Sequence, residues 1–132
     1  MKRLTILAAV LLTLAAVPFA FAAAGPGEFK IKITGQGANT EHGVLDGTWT
    51  LDLANPTSGP LKLTRNGQLK GGGRYAIAGT TITLTPKNGG TCKTAAKYAL
   101  KLIGKTLTFT RIKDTCAVRR DVLTHGQWMQ IG

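Results

Sequence analysis

The chain predicts an all-β fold, an antiparallel meander closing into a small barrel or sandwich. Two observations carry that expectation. Apolar residues recur with a period of two along several short runs, and glycine- or asparagine-containing turn signals separate those runs at short, even intervals. A third observation, two cysteines behind an export-type leader, predicts that the domain carries one disulfide.

The leader comes first in the chain. Lys2 and Arg3 form a positive head, residues 4–17 are an apolar run, Pro18 breaks it, and small residues close at Ala20-Phe21-Ala22. This is the layout of a secretory signal peptide with an A-x-A-type cleavage site. The competing reading is an uncleaved anchor, because residues 4–24 are just long enough to span a bilayer. The break at Pro18 and the small-residue end favour cleavage, near residues 22–24. The expected organisation is therefore a signal peptide over 1–22 and one domain over 23–132, periplasmic or secreted, with no stable membrane span after cleavage. No cysteine lies near the cleavage point, so no lipid anchor is expected there.

Removing Lys2 and Arg3 takes the formal charge from +11 to +9, against only six carboxylates. Such a balance favours solubility and attracts anionic surfaces, which for an exported protein are headgroups, acidic wall polymers, lipopolysaccharide or acidic proteins. Nucleic acid is not an expected partner. Cys92 and Cys116 permit a single intramolecular bridge. In the chain-entropy model it stabilises the fold by about 3–4 kcal/mol, a large share of a typical net stability of about 5–15 kcal/mol.

The strands follow in order. Phe29, Ile31 and Ile33 alternate with Lys30, Lys32 and Thr34, and Trp49, Leu51 and Leu53 with Thr48, Thr50 and Asp52. Leu61 and Leu63 flank Lys62; Ile82 and Leu84 alternate with threonines. Tyr98, Leu100 and Leu102 alternate with Lys97, Ala99 and Lys101, and Leu107 and Phe109 with Thr106, Thr108 and Thr110. Asn66-Gly67 is the strongest hairpin signal, Asn88-Gly89-Gly90 a second, and Gly79 and Gly104 divide further pairs of runs. Residues 55–60 form an irregular Pro/Gly-rich turn. No helical period stands out after the leader, apart from a short helical turn near 113–118.

No motif here carries chemistry. Gly71-Gly72-Gly73 lacks the G-x-x-x-x-G-K-[ST] frame and a following helix, so it reads as a bent strand or wide turn. His42 and His125 stand alone, so no metal is expected. Ser58, the only serine, sits in the Pro/Gly-rich turn without a nucleophile elbow. No catalytic residues and no cofactor are expected.

One constellation is left. Gly47-Thr48-Trp49 opens a strand, Tyr75-Ala76-Ile77-Ala78-Gly79 precedes Thr81-Ile82-Thr83-Leu84, and Asp114-Thr115-Cys116-Ala117-Val118-Arg119 comes late. In this combination the chain resembles the lipocalin-like (calycin-type) β-barrel domains of small bacterial exported proteins, over about residues 43–131. The resemblance implies a small antiparallel up-and-down barrel of about eight strands. It makes Gly47, Trp49 and Arg119 structural barrel-end residues: Trp49 packs at the closed end, and Arg119 (or Arg120) covers its ring. Such a cation–π contact is worth about 0.5–2 kcal/mol. The chain departs from typical lipocalins in being shorter, in lacking their central Thr-Asp-Tyr-like motif, and in showing no terminal helix.

The function expected is an exported, non-catalytic barrel that binds a small hydrophobic or amphipathic molecule. Phe29, Ile31, Leu51, Leu63, Ile77, Leu84, Leu100 and Phe109 are the candidate ligand-lining positions, and equally the candidates for a filled core, because a barrel of about eight strands admits either. The alternatives are a protein-interaction or inhibitor-like domain, contacting an acidic partner through residues 35–43, 56–60 or 87–93, or a basic module attracted to anionic envelope polymers through Lys30, Lys32, Lys62, Lys97 and Lys101.

Overall fold

The computed structural model describes residues 27–35, 38–39 and 43–132. The signal-peptide segment, His42 and most of the 35–43 loop lie outside the described residues. The fold is all-β, with twelve strands and one short helix in the described residues. Seven strands form the first half: β1 (Gly27–Ile33), β2 (Ala38–Asn39), β3 (Gly43–Val44), β4 (Gly47–Leu53), β5 (Ser58–Pro60), β6 (Lys62–Arg65) and β7 (Gln68–Gly71). They are followed by β8 (Gly73–Ala78), β9 (Thr81–Pro86), β10 (Ala96–Ile103), β11 (Thr106–Lys113), helix α1 (Ala117–Leu123) and β12 (Trp128–Gln130).

The strand count exceeds the expected eight. Ten strands share one antiparallel sheet, and β2 and β3 make a separate two-stranded ribbon. The excess has a local cause. A single residue, Leu61, separates β5 from β6, and a single residue, Gly72, separates β7 from β8. The Leu61 N–H donates to Gly73 O at 2.9 Å, which carries the pairing across both breaks. Residues 58–65 and 68–78 are thus one long, kinked hairpin. One half of its first arm pairs with β4 and the other with β8; β8 in turn pairs with β9. From there the ladder passes through β10, β11 and β12 back to β1 and β4. Counted by continuous runs, the ladder of eight antiparallel runs curls back toward its start, while β5 and β7 each keep one unpaired edge, so the sheet is a curled half-barrel.

The hairpin tip and its kink follow from glycine chemistry. Asn66 (φ 49°) and Gly67 (φ 81°) both take positive φ, as a type I′ turn demands. At Gly73 (φ 117°) any Cβ would stand 2.1 Å from Thr85 O, so only glycine lets the strand bend against β9. The Gly71-Gly72-Gly73 run is a bent strand, as its sequence context predicts.

Alternation along each strand fills the interior. β1 is buried at every second residue and exposed between. Phe29, Ile33, Leu53, Ile82, Tyr98, Leu107 and Trp128 are fully enclosed. Phe109 packs edge-on against both Tyr98 and Trp128, with centroids 6.0 and 6.1 Å apart. Trp128 and its strand β12 go unannounced in the sequence, because three residues are too few to display a period.

Candidate functional site

The short helical turn expected near 113–118 is present as a helix that begins later, at Ala117, and runs to Leu123. It presents Val122 and Leu123 to the core, and its Arg119 is buried as well. Its two ends are tied by side chains. The Cys116 N–H donates to Asp114 Oδ1 (2.8 Å), and Thr124 Oγ1 donates to Arg120 O (2.7 Å). Leu123 O accepts the Trp128 indole N–H at 3.2 Å, which seats the far end of α1 on β12. The Cys92–Cys116 disulfide is formed, and it fastens the start of α1 to the loop between β9 and β10.

Beneath α1 lies a buried polar cluster. Arg119 grips Asp114 with two nitrogens, Nε to Oδ2 at 2.9 Å and Nη2 to Oδ1 at 2.7 Å, and Nη2 also donates to Thr94 O at 2.9 Å. Tyr98 donates its hydroxyl to Asp114 Oδ2. Burial acts most strongly on Asp114 and pushes its carboxyl up. The hydrogen bonds from Arg119, Tyr98 and the Cys116 N–H together outweigh it and hold Asp114 below the usual carboxylate range. Burial first, and the Asp114 carboxylate second, push the Tyr98 phenol far above its ordinary value. The cluster is sealed and mutually satisfied, so its chemistry is structural.

Above it, between α1 and the β6–β7 hairpin, opens a cleft of about 930 Å³. That size lies within the roughly 300–1,000 Å³ usual for small-molecule sites. Trp49, Leu61 and Leu63 form its floor and Val118 and Val122 its helical wall. The Trp49 indole N–H is already committed to Leu45 O at 2.7 Å, so its ring offers the cleft apolar surface. The disulfide borders one side, and Leu69, Lys70 and Lys87 stand along the mouth. A shallower depression of about 490 Å³ lies outside, between β11 and α1.

Most of the predicted lining residues are elsewhere. Phe29, Ile31, Leu51, Leu84, Leu100 and Phe109 are packed in the filled interior, and Ile77 is partly buried against it. Leu63 alone of the eight faces the cleft. The residues assigned to the barrel end fare differently. Gly47 (φ 143°) admits the hairpin tip, since a Cβ there would stand 2.9 Å from the Asn66 amide. Asn66 Oδ1 accepts the Thr48 N–H at 2.9 Å and so locks tip to strand. Arg119 does reach the cleft that Trp49 floors, but its guanidinium is directed to Asp114 rather than laid on the indole. Arg120 is turned to Asp121 at 3.4 Å. Leu69, Lys70, Lys87, Val118 and Val122 escape a reading by strand period: they lie in a short, bulged strand, a loop and a helix whose period is hidden by its length.

Among the described residues no cluster of three or more His, Cys, Asp or Glu side chains is placed to hold a metal ion, and no helix is long and apolar enough to cross a membrane. The fold and the cleft define the class, an all-β domain whose antiparallel sheet curls into a half-barrel, with a short helix anchored by a disulfide. No protein-family model, curated protein sequence or solved structure matches the chain.

Proposed function

We propose that the protein is an exported, lipocalin-like, non-catalytic binding domain that takes a small hydrophobic or amphipathic molecule at the α1 mouth of the barrel. The observation that carries this reading is the cleft itself, a concave apolar floor built on rigid strands and walled by a helix that a disulfide holds in place. Phe29, Leu51, Leu84, Leu100 and Phe109 are packed in the core and do not line the cleft, which favours a site beside α1 over one on the barrel axis. The disulfide supports an oxidising compartment, periplasm or medium. A curled antiparallel sheet is compatible with the lipocalin-like reading.

The test is native mass spectrometry on protein gently purified from its own host's envelope. The expected spectrum shows a discrete extra mass, small beside the protein, that leaves on collisional activation. A bare protein mass at moderate salt, together with no binding of apolar dyes, overturns the reading.

A second reading has one observation in its favour. Lys30, Lys32, Lys62, Lys97 and Lys101 all face solvent on the outer phase of their strands, a basic exterior suited to anionic envelope polymers. Retention on such a polymer that collapses between 0.1 and 1 M salt, as the screening length falls from about 10 to 3 Å, supports it.

A further inference from the structure

We propose that the cleft selects a single-chain anionic amphiphile, with its carboxylate or phosphate head at Lys70 and Lys87 and its alkyl chain along Trp49, Leu63 and Val118. The proposal rests on the cleft reading above and adds the charge and shape of the ligand.

The mouth brings opposite chemistries together through an irregularity in the sheet. Leu63 pairs with Gly71 and Thr64 with Leu69, so Lys70 is the extra residue of a β-bulge. On a regular strand Leu69 and Lys70 would point to opposite faces. Here both line the cleft, because a bulge re-aims a side chain. An apolar group that is 62% exposed and an ammonium thus stand side by side at one entrance. Opposite them, Lys87 lays its stem over the glycine gap: a Cβ on Gly72 would lie 3.7 Å from Lys87 Cδ. Gly71 and Gly72 leave that wall without side chains, which keeps the entrance wide enough for a chain.

The charge at the mouth is of one sign. No aspartate or glutamate lines the cleft. Arg119 is neutralised by Asp114, and Arg65 has an interaction of its own; Lys70 and Lys87 are both exposed on the cleft rim. An ammonium at the mouth of an apolar cleft favours a ligand with an anionic end and an apolar body. It disfavours a cationic amphiphile and is indifferent to a neutral one.

The experiment is calorimetric titration of the oxidised protein with monomeric dodecanoate, dodecyl phosphate, glycerol monododecanoate and dodecyltrimethylammonium at 0.1 M salt. At least one of the two anions is expected to bind about three- to tenfold tighter than the neutral ester, the range set by one or two exposed ion pairs. The tighter anion identifies the head. The cation should bind weakest, and the anion's advantage should vanish at 1 M salt. The double variant Lys70→Gln/Lys87→Gln should bring the anions down to the neutral ester, while Lys30→Gln/Lys101→Gln, on the outer face, should leave them unchanged. Equal binding of neutral ester and anions, or no loss in the Lys70/Lys87 variant, overturns the head-group assignment and leaves the cleft reading standing. No binding of any of the four overturns both.

Discussion

Arg119→Met tests the polar cluster that seats α1. Methionine keeps most of the side-chain volume and removes the guanidinium, and with it three hydrogen bonds. Thr94 is exposed, so water replaces the bond to its carbonyl. The Asp114 carboxylate, 0% exposed, retains only Tyr98 and the Cys116 N–H. Stranding one partner of a buried pair costs about 3–5 kcal/mol. With urea slopes of about 1–3 kcal/mol per molar, the unfolding midpoint at pH 7 should fall by at least about 1 M. The pH dependence supplies the signature. In the parent, Asp114 titrates below its unfolded value of about 3.9. Its contribution is therefore fully present above that value and is lost as pH falls through the lower folded pKa. Without Arg119, burial becomes the dominant influence and the Asp114 carboxyl rises. The variant therefore loses less stability than the parent as the carboxyl takes up a proton on acidification. The gap between parent and variant should narrow from pH 7 to pH 4, with the other carboxylates cancelling in the difference. Urea melts followed by tryptophan emission measure it. A loss below about 1 kcal/mol at pH 7, or a gap that stays constant with pH, would refute the account of the cluster as a buried charge pair.

Further substitutions probe the rest of the frame. Trp49→Ala removes a ring that is 4% exposed and strands the Leu45 carbonyl, so denaturant melts should show a loss of about 3–5 kcal/mol; a loss below about 1 kcal/mol, near the surface range, sinks its core role. Cys92→Ser/Cys116→Ser should lower stability by about 3–4 kcal/mol for a bridge between residues 24 apart, and reductant should then leave the variant's melt unmoved while lowering the parent's. Gly73→Ala meets Thr85 O at 2.1 Å with φ at 117° and should cost more than about 1–3 kcal/mol, whereas Gly72→Ala, with its nearest neighbour the flexible Lys87 stem at 3.7 Å, should stay within about 1 kcal/mol. Equal thermal midpoints for those two variants would contradict the kink assigned to Gly73.

The strands with long alternating patterns were legible, and the reason lies in the pleat. At Phe29, Ile31 and Ile33, or Tyr98, Leu100 and Leu102, one face meets the core and the other water, so burial is written into the sequence at every second position. The same logic failed at the cleft. Lys70 reaches it through a bulge, Lys87 from the end of a strand, and Val118 from a seven-residue helix, and none of these leaves a period to read. Interior phase was also no guide to ligand contact. Leu84 and Leu100 point inward as expected, yet at about eight strands a barrel interior is just wide enough for side chains to fill, and here they fill it.

The sequence by itself determined the all-β class, the Asn66-Gly67 hairpin and the pairing of two cysteines, because each depends on alternation, backbone φ preference or simple counting. The tertiary structure decided what lies next to what. It joined β5 to β6 and β7 to β8 into one kinked hairpin, turned Arg119 from the Trp49 ring to Asp114, and set two lysines at the rim of an apolar cleft. The hairpin and the cleft depend on contacts between residues far apart in the chain; Asp114 and Arg119 are only five residues apart, but the cluster that buries them is completed by Thr94 and Tyr98 from a distant strand and loop.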